Sequence, residues 1–167
     1  MKMIPLTKGK RAIIDDCDFI SIVEYRWHAR ESFTPANGKT KFCATRTERK
    51  NGITKTIFMH RAIANAPDGL SVDHINGDTL DNTRKNLRIA TIQQNCWNRI
   101  PNSGKKFKGV IVRKNRKKFS AQIKINWKSI HLGYFDTRME AAIAYDVAAK
   151  KYFGQFARLN FPEDLTA

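Results

Sequence analysis

The sequence predicts an α+β protein: an N-terminal β-rich lead-in, a compact β–β–α hairpin-and-helix, and a three-stranded antiparallel sheet packed on one helix. Three observations predict it. Short apolar stretches alternate with glycine-centred turns over residues 1–55. Two short strand-like runs end at Thr91, where Thr91 and Gln94 form a T-x-x-Q capping box. Beyond Phe107 a basic, strand-like texture gives way to "TRMEAAIAYDVAAKKYFG", where Thr137 and Glu140 form a T-x-x-E box.

In the lead-in, "TPANGKT" and "RKNGITK" read as turns, and "KFCATR" and "TKTIFMH" as the strands beside them. "DDCDFISIVEYRWHA" opens a short helix with Asp16 or Asp18 as its cap. Capping and solvation account for Asp15, Asp16 and Asp18 without a metal. In the middle segment Val72, Asp73 and His74 end a strand, and Asn76-Gly77-Asp78 turns the chain. Leu87 to Ala90 form the second strand, and a helix starts at Ile92, with Asn95 in its first turns. "NSGKK" is polar and reads as a linker.

The expected organisation is therefore residues 1–101 (lead-in 1–55, core 56–101), a linker at 102–106, and a second domain over 107–162. In that second domain Phe119, Ala121 and Ile123 alternate toward the helix, leaving Ser120, Gln122 and Lys124 outward. On the third strand His131 faces out between inward Ile130 and Leu132. Ala141, Ala144, Tyr145, Ala148, Ala149 and Tyr152 recur on one helix face, and Gly154 stops the helix. Trp27, Trp97 and Trp127 read mostly as packing residues.

Composition narrows the partners. Net charge is +16, from 31 Lys and Arg against 15 Asp and Glu. Both halves are basic, so both are expected to lie along one polyanion. No apolar run approaches a membrane span, the start "MKMIPLTKGK" has no apolar signal region, and no basic amphipathic helix is present. A cytoplasmic nucleic-acid binder without a membrane partner is expected. A merely soluble or ribosome-associated basic protein is the bland alternative, and an RNA binder a further one. Cys17, Cys43 and Cys96 are odd in number and far apart, which fits reduced thiols and neither a disulfide framework nor a zinc knuckle.

The stretch "SVDHINGDTLDNTRKNLRIATIQQN" carries the chemistry. Its oxygen donors suit Mg²⁺ or Mn²⁺, one ion per site with one or two protein ligands, better than zinc. Asp73 and the Asn95 side-chain oxygen can be those ligands. His74 can take a proton from the attacking water, since neutral imidazole is the main form near pH 7. Adjacent strand residues point to opposite faces, so Asp73 and His74 share a site only where the strand twists or ends.

These residues resemble the HNH endonucleases, the ββα-metal nucleases. The pattern is His60-Arg61, Val72 to Asn76, Asp81-Asn82 with Asn86-Leu87-Arg88, and Thr91 with Asn95. The resemblance implies catalytic roles for Asp73, His74, Asn86 and Asn95: His74 as general base, Asp73 and Asn95 on the metal, and Asn86 tying the loop. His60 contacts substrate or makes a hydrogen bond within the fold. Arg61, Arg84 and Arg88 touch phosphates or are merely solvated. Asn82 reads as a turn residue.

The second domain resembles the plant APETALA/ethylene-response-factor DNA-binding domain. The matching pieces include Phe107-Lys108-Gly109-Val110, Leu132-Gly133-Tyr134-Phe135, Ala144-Tyr145-Asp146 and Leu159-Asn160-Phe161-Pro162. The resemblance implies a sheet laid in the major groove of double-stranded DNA. The candidate DNA contacts here are Lys108, Gly109, Arg113, Arg116, Lys118, Gln122, Lys124 and His131. Lys108, Ile111, Lys124 and His131 depart from the Arg and Trp of the family pattern, so the plant target sequence is not expected.

The expected function is a site-selective homing-type DNA endonuclease, in a phage-infected or bacterial cell, nicking one strand per event as a monomer. A dimer is the alternative assembly. The rival function is a non-catalytic DNA-binding regulator with a relic nuclease motif.

Overall fold

The computed structural model describes residues 1–33, 40–100, 106–113 and 117–162. It comprises two compact units, Met1–Ile92 and Gln93–Ala167. The division falls before the linker expected at 102–106, of which residues 102–105 lie outside the described residues.

The first unit opens with an antiparallel hairpin, β1 (Lys2–Pro5) and β2 (Arg11–Ile14). Alternation buries Ile4, Ala12 and Ile14 on one face. A single 3₁₀ turn over Asp16–Asp18 leads into α1 (Phe19–Val23). Asp18 sits at the start of α1, but its carboxylate makes no capping bond. Trp27 is buried, as expected, and its indole nitrogen donates to the Ile22 carbonyl at 2.8 Å. Next comes a three-stranded antiparallel sheet in the order β3 (His28–Phe33), β4 (Lys41–Lys50), β5 (Ile53–Phe58). Asn51 and Gly52, both at positive φ, make the two-residue turn from β4 to β5.

The strand expected through "TKTIFMH" stops at Phe58. Met59 opens α2 (Met59–Ala64), because Met59 and Ile63, four apart, are both buried in the core. Asn65 ends α2 in the left-handed region. The unit closes with the antiparallel pair β6 (Ser71–His74) and β7 (Leu87–Ala90). Ile4, Ile14, Ile22, Trp27, Met59 and Ile63 form its core, with Leu80 and Leu87 packed against it.

The helix α3 (Ile92–Trp97) follows, and its residues from Gln93 belong to the second unit. In that unit Trp97 stacks on Phe153, ring centroids 4.3 Å apart. The sheet order is β10 (Lys128–Phe135), β9 (Phe119–Ile125), β8 (Val110–Ile111), all antiparallel. The helix α4 (Arg138–Phe153) carries a complete Thr137/Glu140 capping box, and Gly154 follows it at φ 53°. Ala141, Ala142, Ala148 and Ala149 are buried, so small side chains let α4 lie close on Ala121 and Ile123. Phe153 completes the stripe in place of the expected Tyr152, which is exposed, because the packed face has drifted by one residue at the last turn.

Two expectations for the strand faces change. Ser120 lies opposite Tyr134 and is buried, although outward alternation predicts exposure. Ile130, expected inward, is exposed on the edge strand near the turn.

Asp146, fully buried on α4, joins three parts of this unit. Its carboxylate accepts from the backbone N–H groups of Asn160 and Phe161 and from the Asn160 amide, all at 2.9 Å. Asn160 Oδ1 in turn accepts from the Lys108 backbone N–H at 2.7 Å, and its Nδ2 donates to the Lys108 carbonyl at 3.1 Å. One carboxylate thus fixes the chain after α4 to the chain before β8. Replacing Asp146 by Ala removes the acceptor of the part-buried Asn160 and Phe161 N–H groups and is expected to cost about 3 kcal/mol in denaturant unfolding of the full chain.

Candidate functional site

The β6–β7 pair carries the first group of candidate residues. Its register sets Asp73 opposite Arg88 and His74 opposite Leu87. Directly opposed residues share a face, so Arg88 reaches Asp73. Its Nε and Nη2 donate to Asp73 Oδ2 at 2.8 and 2.6 Å, and both side chains are largely buried. Such a pair is strongly disrupted when one partner is removed.

His74 is the last residue of β6 and is only 7% exposed. The strand ends there, which is the condition the alternation rule sets for two neighbours to serve one site. His74 Nε2 lies 3.3 Å from Asn82 Oδ1, and Asn82 is fully buried. Asn82 Nδ2 donates to the Leu80 carbonyl at 3.1 Å. A carbonyl only accepts, so the amide orientation is fixed with its oxygen toward the ring. In that hydrogen bond Nε2 carries the proton, and the lone pair of the neutral ring lies on Nδ1. Burial lowers the His74 pKa, opposed by the Asn82 hydrogen bond and the carboxylates of Asp73, Asp78 and Asp81. Asn82 is therefore more than a turn residue: it orients the histidine. The sequence signal for it was its place in the D-N-x-x-x-N spacing.

His60 packs edge-on against His74, ring centroids 5.2 Å apart, and lies beside Phe58. Its Nδ1 is buried and has no hydrogen-bond partner among the described residues. Burial first, then His74 and Arg61, push its pKa down to about 3, so the ring is neutral.

Between β6 and β7 the chain runs without a ladder, and side chains satisfy its backbone. Asn86 Oδ1 accepts from the Asn76 N–H at 2.9 Å, and its Nδ2 donates to the Asp81 carbonyl at 2.7 Å. Asn76 and Asp78 each accept from a backbone N–H two residues on, at 2.8 and 3.0 Å. Asp81 accepts from the Thr83 N–H and hydroxyl and from the Asn76 amide. The lead-in holds this loop from outside. Ile13 donates to the Leu80 carbonyl and accepts from the Asn82 N–H. Lys41 Nζ donates to the Gly77 carbonyl at 2.9 Å, and the Thr79 hydroxyl bonds the Phe42 carbonyl.

The three arginines have partners within the unit. Arg84 forks onto the Asp18 carboxylate at 2.9 and 2.6 Å, which raises its pKa. Arg61 donates to the carbonyls of Leu70, Ala66 and Pro67 and so closes the turn after α2. With Arg88 on Asp73, all three guanidinium groups brace the fold; Arg88 is largely buried, while Arg84 stays well exposed to solvent. Asn95 lies half-buried on α3, in the second unit. Among the described residues no cluster of three or more His, Cys, Asp or Glu side chains is placed to hold a metal.

The second group lies on the sheet of the second unit. Gln122 is opposite His131, and Lys124 is opposite Ser129, so one face gathers all three candidates. Arg113 and Lys118 are exposed near the strand ends, with Lys118 Nζ 3.4 Å from Asp136. Arg116 lies outside the described residues. Two candidates have other work. Lys108 Nζ bonds the carbonyls of Trp97 and Arg99, and burial lowers its pKa to about 8, which leaves it charged at neutral pH. Gly109, at φ 78°, lies under the Tyr145 ring: an added Cβ would meet Tyr145 Cδ2 at 2.0 Å. Packing and conformation explain this glycine. Trp127, expected to pack, is 72% exposed.

Comparison with known proteins adds three findings. A family model described as HNH endonuclease matches residues 64–96. The chain is 29% identical over 153 residues, 92% of its length, to an uncharacterized HNH endonuclease of Acanthamoeba polyphaga mimivirus, of which it covers 76%. Shorter likenesses reach plant proteins. Dehydration-responsive element-binding protein 2E of Arabidopsis thaliana is 60% identical over 38 residues, 23% of this chain and 16% of that protein. An ethylene-responsive transcription factor of the same plant is 44% identical over 63 residues, 36% of this chain and 34% of that protein. No helix among the described residues is long and apolar enough to cross a membrane.

Two outcomes test this geometry. Arg88→Met removes the cation that faces the buried Asp73 carboxylate, and is expected to cost about 3–5 kcal/mol in chemical denaturation. His60 binds its proton far less readily in the fold than in the unfolded chain, so its contribution to stability is complete above pH 6.5 and is lost as pH falls toward about 3. Thermal melts across that window should show a shallower acid slope for His60→Phe than for the parent.

Proposed function

We propose that this chain is a metal-dependent DNA endonuclease of the homing type, which grips duplex DNA and hydrolyses one phosphodiester. The observation that carries the reading is a buried histidine, fixed in one tautomer at a strand end, inside the segment that matches the HNH endonuclease model.

The donor chemistry fits a hard cation. Asp73, next to the last residue of β6, would offer carboxylate oxygen, and by the sequence pattern the Asn95 amide oxygen would be the second ligand. One Mg²⁺ or Mn²⁺ would bring positive charge to the scissile phosphate and the leaving 3′-oxygen. Thiolate is missing from this pair, so zinc is not expected. Arg88 fixes the angle at which the Asp73 carboxylate is presented.

His74 accepts the proton of the attacking water on Nδ1, the nitrogen with the lone pair. Asn82 holds the ring still while the proton moves. Asn86 keeps the loop from collapsing onto the strand end. In the second unit the outward residues Gln122, Lys124 and His131, with Arg113 and Lys118, contact duplex DNA and give the nuclease its site preference.

One such site cuts one strand per event, so a monomer nicks; a dimer would be needed for a concerted double-strand break. The setting that fits is the interior of a phage-infected or bacterial cell, with the protein encoded by a mobile element. His74→Ala is expected to lower Mg²⁺-dependent cleavage of supercoiled plasmid at least about 100-fold with DNA binding retained. Nicked circles should accumulate before linear product. Unchanged cleavage in the variant removes His74 from the mechanism. Binding without cleavage by the parent protein supports instead a regulator that keeps a relic of the nuclease.

A further inference from the structure

The fold does not account for Trp127. Asn126 and Trp127 form the two-residue turn between β9 and β10, with φ of 47° and 65°. Asn suits the first of these positions and glycine the second. A tryptophan there holds a strained backbone. Burial does not offset the strain, because the side chain is 72% exposed. A large aromatic surface held out in a conformation it resists points to a ligand, not to packing.

The surroundings say which ligand. Lys124 Nζ lies 5.3 Å from the indole centroid. Beside the turn, within the second unit, is a pocket of about 270 Å³ whose walls include Trp97, Gly109, Gln122, Lys124, Trp127 and Phe153. Drug-sized ligands occupy pockets of roughly 300–1,000 Å³, so this one suits a single small ring system. Its walls are mainly apolar and aromatic, and its polar side chains are Gln93, Lys108, Gln122 and Lys124; Gln93 already bonds Asn126 and Lys108 the carbonyls of Trp97 and Arg99, which leaves the Gln122 amide and the Lys124 ammonium for a ligand. A nucleobase matches each feature: a flat face for the indole, a hydrogen-bonding edge for Gln122, and an attached phosphate for Lys124.

We propose that Trp127 stacks on a nucleobase displaced from the bound duplex, and that the adjoining pocket receives that base. This rests on the DNA-binding reading above and adds a site for an unpaired base to a sheet that otherwise reads paired DNA.

The test uses the full chain, without divalent metal, and two duplexes: one fully paired, one with a single unpaired 2-aminopurine. Wild-type protein is expected to bind the second about tenfold more tightly and to quench its fluorescence. Trp127→Gly should bind both duplexes equally, with the paired affinity unchanged. Its melting temperature should equal or exceed that of the wild type, since glycine is at ease at φ 65°. Trp127→Phe should keep part of the preference. Equal binding of both duplexes by the wild type, or a preference that survives Trp127→Gly, overturns the proposal. Failure to bind even the paired duplex overturns the DNA-binding reading itself, and this idea with it.

Discussion

The first unit depends on how the chain between β6 and β7 satisfies its backbone with little secondary structure, one 3₁₀ turn over Arg84–Asn86 and one bridge from Asp81 to Ile13. Neither ladder nor helix is available for most of residues 75–86, and each buried amide left alone costs free energy. Side-chain amides and carboxylates take that part. Asn86 joins the two ends of the excursion, Asp81 ties its middle, and Asn82 spends one half of its amide on the loop and the other on His74. The dense polar composition of this stretch follows from that requirement. The same bonds that hold the loop also set the histidine ring, so loop order and site order are one property.

Burial then sets the chemistry available. His60 and His74 meet edge to face in a region where the charged form of either is disfavoured, and among the described residues no carboxylate bonds His60 Nδ1. The result is an imidazole kept neutral by its surroundings, the state in which it can accept a proton. The second unit solves a similar satisfaction problem differently. A single buried carboxylate, Asp146, gathers the donors of the segment after α4, and Asn160 relays them to Lys108. The sheet is thereby held rigid against α4, while its other face stays available to solvent.

Much of this was legible in the sequence, and the reasons differ by element. The Thr137/Glu140 capping box is complete at the start of α4, because capping is local chemistry written in adjacent residues, and α3 starts at Ile92, the residue expected. The strands β6 and β7 lie where the apolar and turn residues put them. Less legible were features set by tertiary contact. Met59 and His60 enter a helix because the core needs Met59, which no local pattern states. Arg61, Arg84 and Arg88 look alike as basic residues, yet each is matched to a carboxylate or carbonyls 5 to 66 positions away. Asn82 looked like an ordinary turn residue until its amide was seen against His74. Gly109 and Lys108, which read as contacts for a ligand, are explained by the Tyr145 ring and by the carbonyls at the end of α3.

The bonds from the lead-in to the loop have a consequence for how the protein is made. Arg84 reaches Asp15 and Asp18 across 69 and 66 residues, and Ile13 brackets Leu80 and Asn82 from β2. A ribosome delivers β1, β2 and Asp15 to Asp18 first, so these partners of the loop are synthesised before the loop itself is translated. In this chain the residues that hold the histidine loop thus precede it in synthesis as well as in sequence.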